Sequence, residues 1–464
     1  MKIEPPPAND PRTLHVAIVG SGAAGSYALL ELLRYPNVRV TVFERLPTPW
    51  GLVRAGVAPD HQDTKAVTAI FEQSADHGHV QFVMNVEVGK DLFHADLARH
   101  HHAVIYASGA SSDRRLNIPG EHLSGNVAAS EFVQWYNGHP DAATQAFDFS
   151  TTRAVIVGNG NVALDIGRLL VSEPDSLART DMADYAVAAL RQSSIKEVVI
   201  LGRRGPREAA FSGPELLALS QVDGVDVIAD LPDGTPLDQH SDDIAPLKIQ
   251  LMNELATHSS SSDSNRRVIL RFDTSPLEMV GEGRVTGLRV SHTRCNSTGP
   301  YSTPPFAKDG TYVIETGMVL RSIGYHGRAI DGIPFDPERG VVPNTNGRVT
   351  HNGTVVGGVY TTGWIKRGAR GVIGTNRECA KDTVASLMSD HRNHVLAEPT
   401  GDGETLESML LVRVPGATNL KGWRSIDHIE RTTGHLVGAP RKKITDRAAL
   451  LAAARGEAWP GPEA

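Results

Sequence analysis

The sequence contains very little cysteine. Cys295 and Cys379 are the only two, and they lie far apart, outside any Cys-x-x-Cys pair. Two such residues are too few for a disulfide framework, an iron–sulfur cluster or a cysteine-rich zinc site. We therefore expect a reducing compartment and no bound metal.

Long apolar runs and an excess of basic charge are also missing. No window approaches the ~18 consecutive apolar residues that a transmembrane helix needs. Residues 1–13 contain three consecutive prolines and no apolar segment, so we interpret them as a flexible tail rather than a signal peptide. The chain has 46 Lys and Arg against 53 Asp and Glu, a net charge of −7, which argues against non-specific nucleic-acid binding as its main activity. We expect a cytoplasmic protein without membrane insertion.

What the chain does contain is an alternation of strand and helix patterns. At ~150 residues per domain, its 464 residues correspond to two large domains or about three smaller ones. Residues 14–44 have the pattern of a strand, a helix and a strand, and residues 154–202 repeat that order with a longer helical region. Two β-α-β units predict an α/β fold with parallel sheets and two Rossmann-like domains.

A glycine motif joins the first strand to the first helix. Gly20, Gly22 and Gly25 form a G-x-G-x-x-G pattern, in which the backbone approaches a pyrophosphate at the helix N-terminus. Glu44 ends the next strand, 24 residues after Gly20, where a carboxylate accepts hydrogen bonds from ribose hydroxyls. The pattern predicts a dinucleotide site, and the alternative is a glycine-rich turn without a ligand.

The second unit carries the G-x-G-x-x-A variant at Gly158, Gly160 and Ala163. Arg203 and Arg204 follow its next strand, where an enzyme that uses NAD would have an acid. Two guanidinium groups there favour the 2′-phosphate of NADP, although they could also be solvated surface arginines. Two sites of different specificity are most simply explained by non-covalent FAD in the first and NADPH in the second, with hydride passing between them.

Several further segments resemble the adrenodoxin-reductase type of NADPH–ferredoxin reductase, within the wider two-dinucleotide-binding flavoprotein family. The absence of a redox-active Cys-x-x-Cys pair and the Gly363-Trp364 sequence agree with this branch rather than with the disulfide reductases. The segments that carry the resemblance are residues 46–61, 112–120, 157–165, 202–211, 363–368 and 371–376.

The resemblance implies two sets of cofactor-binding residues. Those implied for FAD are Gly20, Gly22, Ala24, Gly25, Glu44, Leu52, Val88, Trp364, Gly371, Val372 and Ile373. Those implied for NADP are Arg114, Asn159, Gly160, Asn161, Val162, Arg203, Arg204, Glu215 and again Gly371, which would lie near both cofactors.

The resemblance also singles out His61 as the candidate catalytic residue. It would lie close to the place where flavin and nicotinamide meet, and would relay a proton or orient the nicotinamide. A packing or surface role is the alternative, because His61 is one of 19 histidines. Some relatives have a second acid one turn after the position of Glu215, where this chain has Ala218.

The order of the motifs predicts an NADP-binding domain inserted into a discontinuous FAD-binding domain. The FAD-binding domain would comprise residues 14–112 and 327–464, including a C-terminal extension from about residue 400, and the NADP-binding domain residues 113–326. The implied activity is electron transfer from NADPH through FAD to a ferredoxin-type iron–sulfur protein that feeds a cytochrome P450. Basic candidates for ferredoxin docking include Arg207 and residues 441–443. The sequence does not decide the oligomeric state, and we adopt a monomer as the working hypothesis.

Other functions are alternatives to this one. An NADPH oxidase, quinone reductase or monooxygenase would transfer the electrons to a small organic acceptor instead of a ferredoxin. A glutamate-synthase-type electron-input subunit would carry N-terminal cluster cysteines, which this chain lacks. A non-catalytic NADP-sensing module would bind nucleotide without flavin, so the colour of the purified protein distinguishes it.

Overall fold

The structure is a computed structural model that describes residues 13–231, 237, 245–257, 265–292, 310–401 and 403–457. Nearly all of the predicted N-terminal tail, and Cys295, lie outside the described residues. Within the described part of the chain, no helix is both long and apolar enough to cross a membrane.

Strands and helices alternate through most of the chain. The strands are β1 (Leu14–Val19), β2 (Val38–Glu44), β3 (Val80–Met84), β4 (Ala103–Tyr106), β5 (Ser112–Asp113), β6 (Asn126–Ala128), β7 (Arg153–Val157), β8 (Glu197–Leu201), β9 (Val225–Asp230), β10 (Arg266–Arg271), β11 (Thr274–Val280), β12 (Gly287–His292), β13 (Thr311–Glu315), β14 (Met318–Arg321), β15 (Tyr325–His326), β16 (Asn344–Thr345), β17 (Arg348–His351) and β18 (Thr354–Thr361). The helices are α1 (Ala23–Leu32), α2 (Leu52–Ala55), α3 (Gln62–Lys65), α4 (Thr68–Ala75), α5 (His94–His100), α6 (Ala129–Tyr136), α7 (Asn161–Val171), α8 (Pro174–Leu177), α9 (Asp184–Arg191), α10 (Gly213–Ser220), α11 (Pro246–Thr257), α12 (Trp364–Arg367), α13 (Thr375–Arg392), α14 (Gly403–Arg413), α15 (Leu420–Leu436) and α16 (Arg447–Ala454), with a 3₁₀-helix at Pro206–Glu208.

The chain forms two compact units. Unit 1 comprises Met1–Ser112, Asn137–Asp141 and Tyr325–Ala464, and unit 2 comprises Asp113–Tyr136 and Ala142–Gly324. Both units are built around a sheet whose central strands are parallel, as the β-α-β patterns predict. Which cofactor each unit binds stays a prediction at this point.

Unit 1 contains a seven-stranded sheet in the order β16-β17-β18-β4-β1-β2-β3. The last five strands are parallel, and β16 and β17 form an antiparallel edge. Successive residues of β1 point to opposite faces, so Val16 and Ile18 belong to one hydrophobic cluster and Ala17 and Val19 to another. Helices α1, α13, α15 and α16 contribute to the first cluster, and α14 contributes to the second. Burial of both faces explains why these strands are almost continuously apolar.

Unit 2 contains a six-stranded parallel sheet in the order β6-β14-β7-β8-β10-β9. Helices α6, α7, α9, α10 and α11 cover one face, where Ala154 and Ile156 of β7 are buried. The opposite face packs against an antiparallel sheet of β11, β12 and β13, which buries Val155 and Val157. Because parallel strands end at the same edge, the β7–α7 turn and the residues after β8 lie on one side of the sheet.

Candidate functional site

The first glycine turn lies at the carboxyl end of β1. Gly20 has a φ of +101°, and a Cβ at this position would lie 2.7 Å from the carbonyl oxygen of Ala107. A Cβ at Gly25 would lie 1.9 Å from the carbonyl oxygen of Gly20. Only glycine fits at either position. The turn and α1 therefore pack as closely as a dinucleotide-binding turn requires.

Glu44, at the end of β2, points back to this turn. Its Oε2 accepts hydrogen bonds from the backbone N of Ser21 at 3.1 Å and from Ser21 Oγ at 2.6 Å. Its Oε1 accepts from the backbone N of Leu46 at 3.0 Å. A carboxylate offers about four lone-pair sites, so Glu44 is oriented by three bonds and keeps capacity for a ribose hydroxyl. Ser21 was not predicted, although its place between Gly20 and Gly22 could have suggested it.

The segment Trp50-Gly51-Leu52 lies beside the first glycine turn. Gly51 has a φ of +48°, and a Cβ there would lie 2.9 Å from Cα of Gly22. Trp50 has a φ of +77°, an uncommon conformation for a bulky residue. Its backbone N donates to Ser21 Oγ at 3.3 Å. Leu52, the first residue of α2, directly follows Gly51, and its role in FAD binding stays a prediction.

The predicted residue Trp364 is the first residue of α12 in unit 1. The preceding Gly363 has a φ of +76°, and a Cβ at this position would lie 2.4 Å from Cβ of Ala24. The start of α12 and the start of α1 are therefore in contact. The Trp364 indole packs against the Tyr325 ring, with centroids 5.4 Å apart.

The loop from Gly371 to Ile373 is fixed at the N-terminus of α13. The backbone N of Val372 donates to Thr375 Oγ1 at 3.2 Å, and Asn376 Nδ2 donates to the carbonyl oxygen of Ile373 at 3.2 Å. Arg367 also donates to Asn376 Oδ1, at 2.8 Å. The side chain of Val372 is 64% exposed. These anchoring residues were not predicted, because their role depends on contacts between two helices.

Two other predicted residues of unit 1 lie on loops. His61 is half-buried and immediately precedes α3, and its backbone N donates to the carbonyl oxygen of Ala58 at 3.0 Å. Val88 follows β3, forms a β-bridge with Leu92 and packs against the hydrophobic cluster that contains Ala17 and Val19. All of the residues predicted for FAD, together with His61, are thus found in unit 1.

The second glycine turn lies at the carboxyl end of β7. Gly158 has a φ of +114°, and a Cβ there would lie 2.1 Å from the carbonyl oxygen of Ser322. Asn161, the first residue of α7, accepts a hydrogen bond on Oδ1 from the backbone N of Ser212 at 2.8 Å. The carbonyl oxygen of Asn159 accepts from the backbone N of Phe211 at 3.0 Å. The turn is therefore tied to the segment that precedes α10.

Arg203 and Arg204 come after β8 and Gly202, and both are exposed. Their backbone is fixed because the N of Asp273 donates to the carbonyl oxygen of Arg204 at 3.1 Å. A fixed backbone with two exposed guanidinium groups can form charge-assisted hydrogen bonds to a phosphate. Arg114 is also exposed, and its backbone N donates to the carbonyl oxygen of Gly324 at 3.3 Å.

Glu215 lies in the first turn of α10, and it is half-buried. It acts electrostatically on Arg168 of α7, a buried residue that donates to Asp165 at 2.7 Å. Burial lowers the pKa of Arg168 to about 10, while the charge of Glu215 acts in the opposite direction. Arg168 was not predicted, since a helical arginine carries no signal of its burial.

The side chains beside the two turns fit two different dinucleotides. A Cβ at Gly160 would meet nothing within 4 Å, and a Cβ at Gly22 would meet only Cα of Gly51 at 3.9 Å. Each middle glycine therefore faces space beside a helix N-terminus, where a pyrophosphate binds. The acid Glu44 accompanies the first turn and two arginines accompany the second, as an unphosphorylated ribose and a 2′-phosphate require.

Comparison with known proteins gives matches along nearly the whole chain. A family model described as pyridine nucleotide-disulphide oxidoreductase matches residues 14–195. A probable ferredoxin/ferredoxin–NADP reductase of Mycobacterium leprae is 43% identical over 451 residues, which cover 96% of this chain and 78% of the relative. NADPH-ferredoxin reductase FprA of the same species is 42% identical, with 95% of this chain and 98% of the relative covered. The structure of Mycobacterium tuberculosis FprA in complex with NADPH matches with a TM-score of 0.87 and 39% identity, covering 96% of this chain and 100% of that chain.

Proposed function

This chain belongs to the family of NADPH–ferredoxin reductases, and we infer from that premise that it transfers electrons from NADPH through FAD to a ferredoxin-type iron–sulfur protein. It is an FAD- and NADP-dependent oxidoreductase, as the resemblance implied. The observation that best supports this function is the difference between the two glycine turns. Glu44 ends the strand after the first turn, whereas Arg203 and Arg204 follow the strand after the second.

We propose that unit 1 holds FAD and unit 2 holds NADP. The bound flavin supplies the redox chemistry, since it accepts a hydride and releases electrons singly. The protein contributes binding and orientation. Gly22 admits the FAD pyrophosphate to the N-terminus of α1, and Glu44 accepts a hydrogen bond from the adenosine ribose. Residues 371–373, anchored to α13, form the opposite wall of this site.

In unit 2, Gly160 admits the NADP pyrophosphate to the N-terminus of α7. Arg203 and Arg204 bind the 2′-phosphate, and Arg114 adds a further positive charge. Glu215 also binds the nucleotide, and its carboxylate stabilises the charge of the buried Arg168.

His61 is proposed as the residue that relays a proton or orients the nicotinamide during hydride transfer. Its imidazole ring can both donate and accept a hydrogen bond, which suits either task. Its place directly before α3 fixes its backbone and leaves the ring half-buried. The chain has Ala218 where some relatives have a second acid.

The finer proposals concern partners and location. The ferredoxin in turn feeds a cytochrome P450, and the reductase acts as a monomer in the cytoplasm. Reduction of cytochrome c by NADPH tests the acceptor. We expect a rate that depends on added ferredoxin and saturates with it. A rate that is independent of ferredoxin, together with NADPH consumption coupled to a quinone or another small organic acceptor, would contradict the proposal.

A further inference from the structure

The C-terminal segment from Thr418 to Ala454 packs against the segment that lies beside the first glycine turn. A buried carboxylate, Glu430 of α15, makes the central contact. Its Oε1 and Oε2 accept hydrogen bonds from Arg54 Nη2 at 2.6 Å and from Nη1 at 2.8 Å. Arg54 belongs to α2, the short helix that begins at Leu52. A paired, bidentate contact of this kind fixes both position and orientation.

The remaining lone pairs of Glu430 are also used. Arg441 Nη1 donates to Oε2 at 2.9 Å, and the backbone N of Ile444 donates to Oε1 at 2.9 Å. Burial by itself would raise the pKa of Glu430, but the charges of Arg54 and Arg441 outweigh this effect and hold the pKa below its usual value. Glu430 therefore stays ionised although its side chain is 0% exposed.

Three further contacts join the C-terminal segment to residues 45–54. Lys443 Nζ donates to the carbonyl oxygen of Arg54 at 3.1 Å, and the Arg54 guanidinium lies over the Trp423 ring at 5.2 Å. Arg447 Nη2 donates to the carbonyl oxygen of Arg45, the residue after Glu44, at 2.7 Å. Arg441 and Lys443, which the sequence suggested for ferredoxin docking, are thus largely buried and bonded inside unit 1. That part of the docking prediction was wrong, because their burial depends on contacts with α2 and α15.

The segment held in this way contains a strained turn. Trp50 and Gly51 both have positive φ, and such backbone persists only where the surroundings determine it. Trp50 and Val53 share a hydrophobic cluster with Trp423, Ile426 and Ile444. The C-terminal segment therefore supplies both apolar packing and an ion pair that keep Gly51 against Gly22.

From these contacts we propose that Glu430 is a positioning residue for the FAD site, which acts through Arg54 on the segment from Trp50 to Leu52. The inference rests on the proposed function, because it takes unit 1 as the FAD-binding unit. The C-terminal segment is then a structural component of the flavin site rather than an independent appendage.

The test is the FAD affinity of the folded apoprotein. Glu430→Gln keeps the shape of the side chain and removes its charge. We expect the Kd for FAD to rise by roughly tenfold or more, because removing the charge of Glu430 breaks a buried ion pair and releases the segment that Arg54 holds. Flavin fluorescence quenching measures the Kd, at a temperature where circular dichroism shows that the apoprotein is folded.

Asp390→Asn is the matched control. Asp390 of α13 accepts from Arg348 Nε at 2.7 Å and from the Tyr360 hydroxyl at 2.7 Å, within the same unit. Its loss removes a comparable carboxylate without touching α2, so the FAD affinity should stay within twofold of the wild-type value. Equal weakening by Asp390→Asn, or an unchanged affinity in Glu430→Gln, would overturn the proposal.

Arg54→Lys provides a second variant for the case in which Glu430→Gln does not fold. It keeps a positive charge beside Glu430 but removes the bidentate contact, so a smaller rise in the Kd, of several fold, is expected. No rise in a folded Arg54→Lys protein would contradict the inference. Failure of the wild-type apoprotein to bind FAD would instead refute the proposed function, so the two failures are distinguishable.

Discussion

The choice of coenzyme should depend on Arg203 and Arg204. Both side chains are exposed beyond the carboxyl end of β8, at the edge of the sheet that also carries the turn at Gly158. NADPH offers them a 2′-phosphate, whereas NADH offers an uncharged hydroxyl. The double substitution Arg203→Ala and Arg204→Ala removes these contacts without disturbing the backbone, which the N of Asp273 holds through a carbonyl oxygen.

The expected magnitude follows from two charge-assisted hydrogen bonds. Such bonds contribute about 1.5 to 3 kcal/mol each, and solvent exposure favours the lower value, so two of them contribute about 3 kcal/mol. At about 1.4 kcal/mol per factor of ten, the wild-type protein should prefer NADPH by roughly 100-fold in kcat/KM. The double variant should lose most of this preference through a higher KM for NADPH, because the lost contacts are remote from the hydride.

Steady-state reduction of ferricyanide with each coenzyme measures this preference, and it avoids any effect on ferredoxin docking. Arg207→Ala is the matched control, since Arg207 is an exposed arginine of the same loop that is not predicted to bind nucleotide. It should leave the NADPH/NADH ratio unchanged. An unchanged ratio in the double variant, or an equal loss in Arg207→Ala, would show that the 2′-phosphate is bound elsewhere.

Three other predictions concern the turns, the flavin and His61. Acid denaturation should release the yellow chromophore entirely as FAD, one per chain; chromophore retained on the protein, or released as FMN, would refute non-covalent FAD binding. Gly25→Ala places a Cβ 1.9 Å from the Gly20 carbonyl oxygen and should abolish FAD binding. Gly160→Ala places a Cβ that meets no described atom within 4 Å, so this variant should keep FAD. It should raise the KM for NADPH roughly tenfold, because the added methyl group obstructs the pyrophosphate. Equal FAD loss in the two variants would contradict the assignment of the turns. His61→Gln should slow flavin reduction in stopped-flow experiments at normal FAD content, and an unchanged rate with altered thermal stability would identify a packing role.

The sequence predicted the parts of this protein that local geometry determines. Gly20 and Gly25 are glycines because the turn and α1 leave no room for a Cβ at these positions. The position of Glu44 was predictable from the strand pattern, since this residue ends β2, which pairs in parallel with β1. Arg203 and Arg204 follow β8 in the equivalent position of the second unit.

Contacts between distant segments were not predictable. Glu430 binds Arg54, 376 residues away in the chain, and no periodicity relates them. The antiparallel sheet of β11, β12 and β13 was also missed, because Pro276 and a register shift next to it interrupt the alternation in β11. The short segment Asn137–Asp141 groups with unit 1 although its neighbours in sequence belong to unit 2, and its composition gives no indication of this.

Anaerobic titration with NADPH, followed by addition of ferredoxin, tests whether this chain passes electrons from NADPH to an iron–sulfur carrier. We expect that one NADPH bleaches one FAD, and that ferredoxin added afterwards becomes reduced while the flavin absorbance returns. Flavin that is bleached by NADPH but leaves every ferredoxin oxidised would contradict the claim that this chain passes electrons to an iron–sulfur carrier.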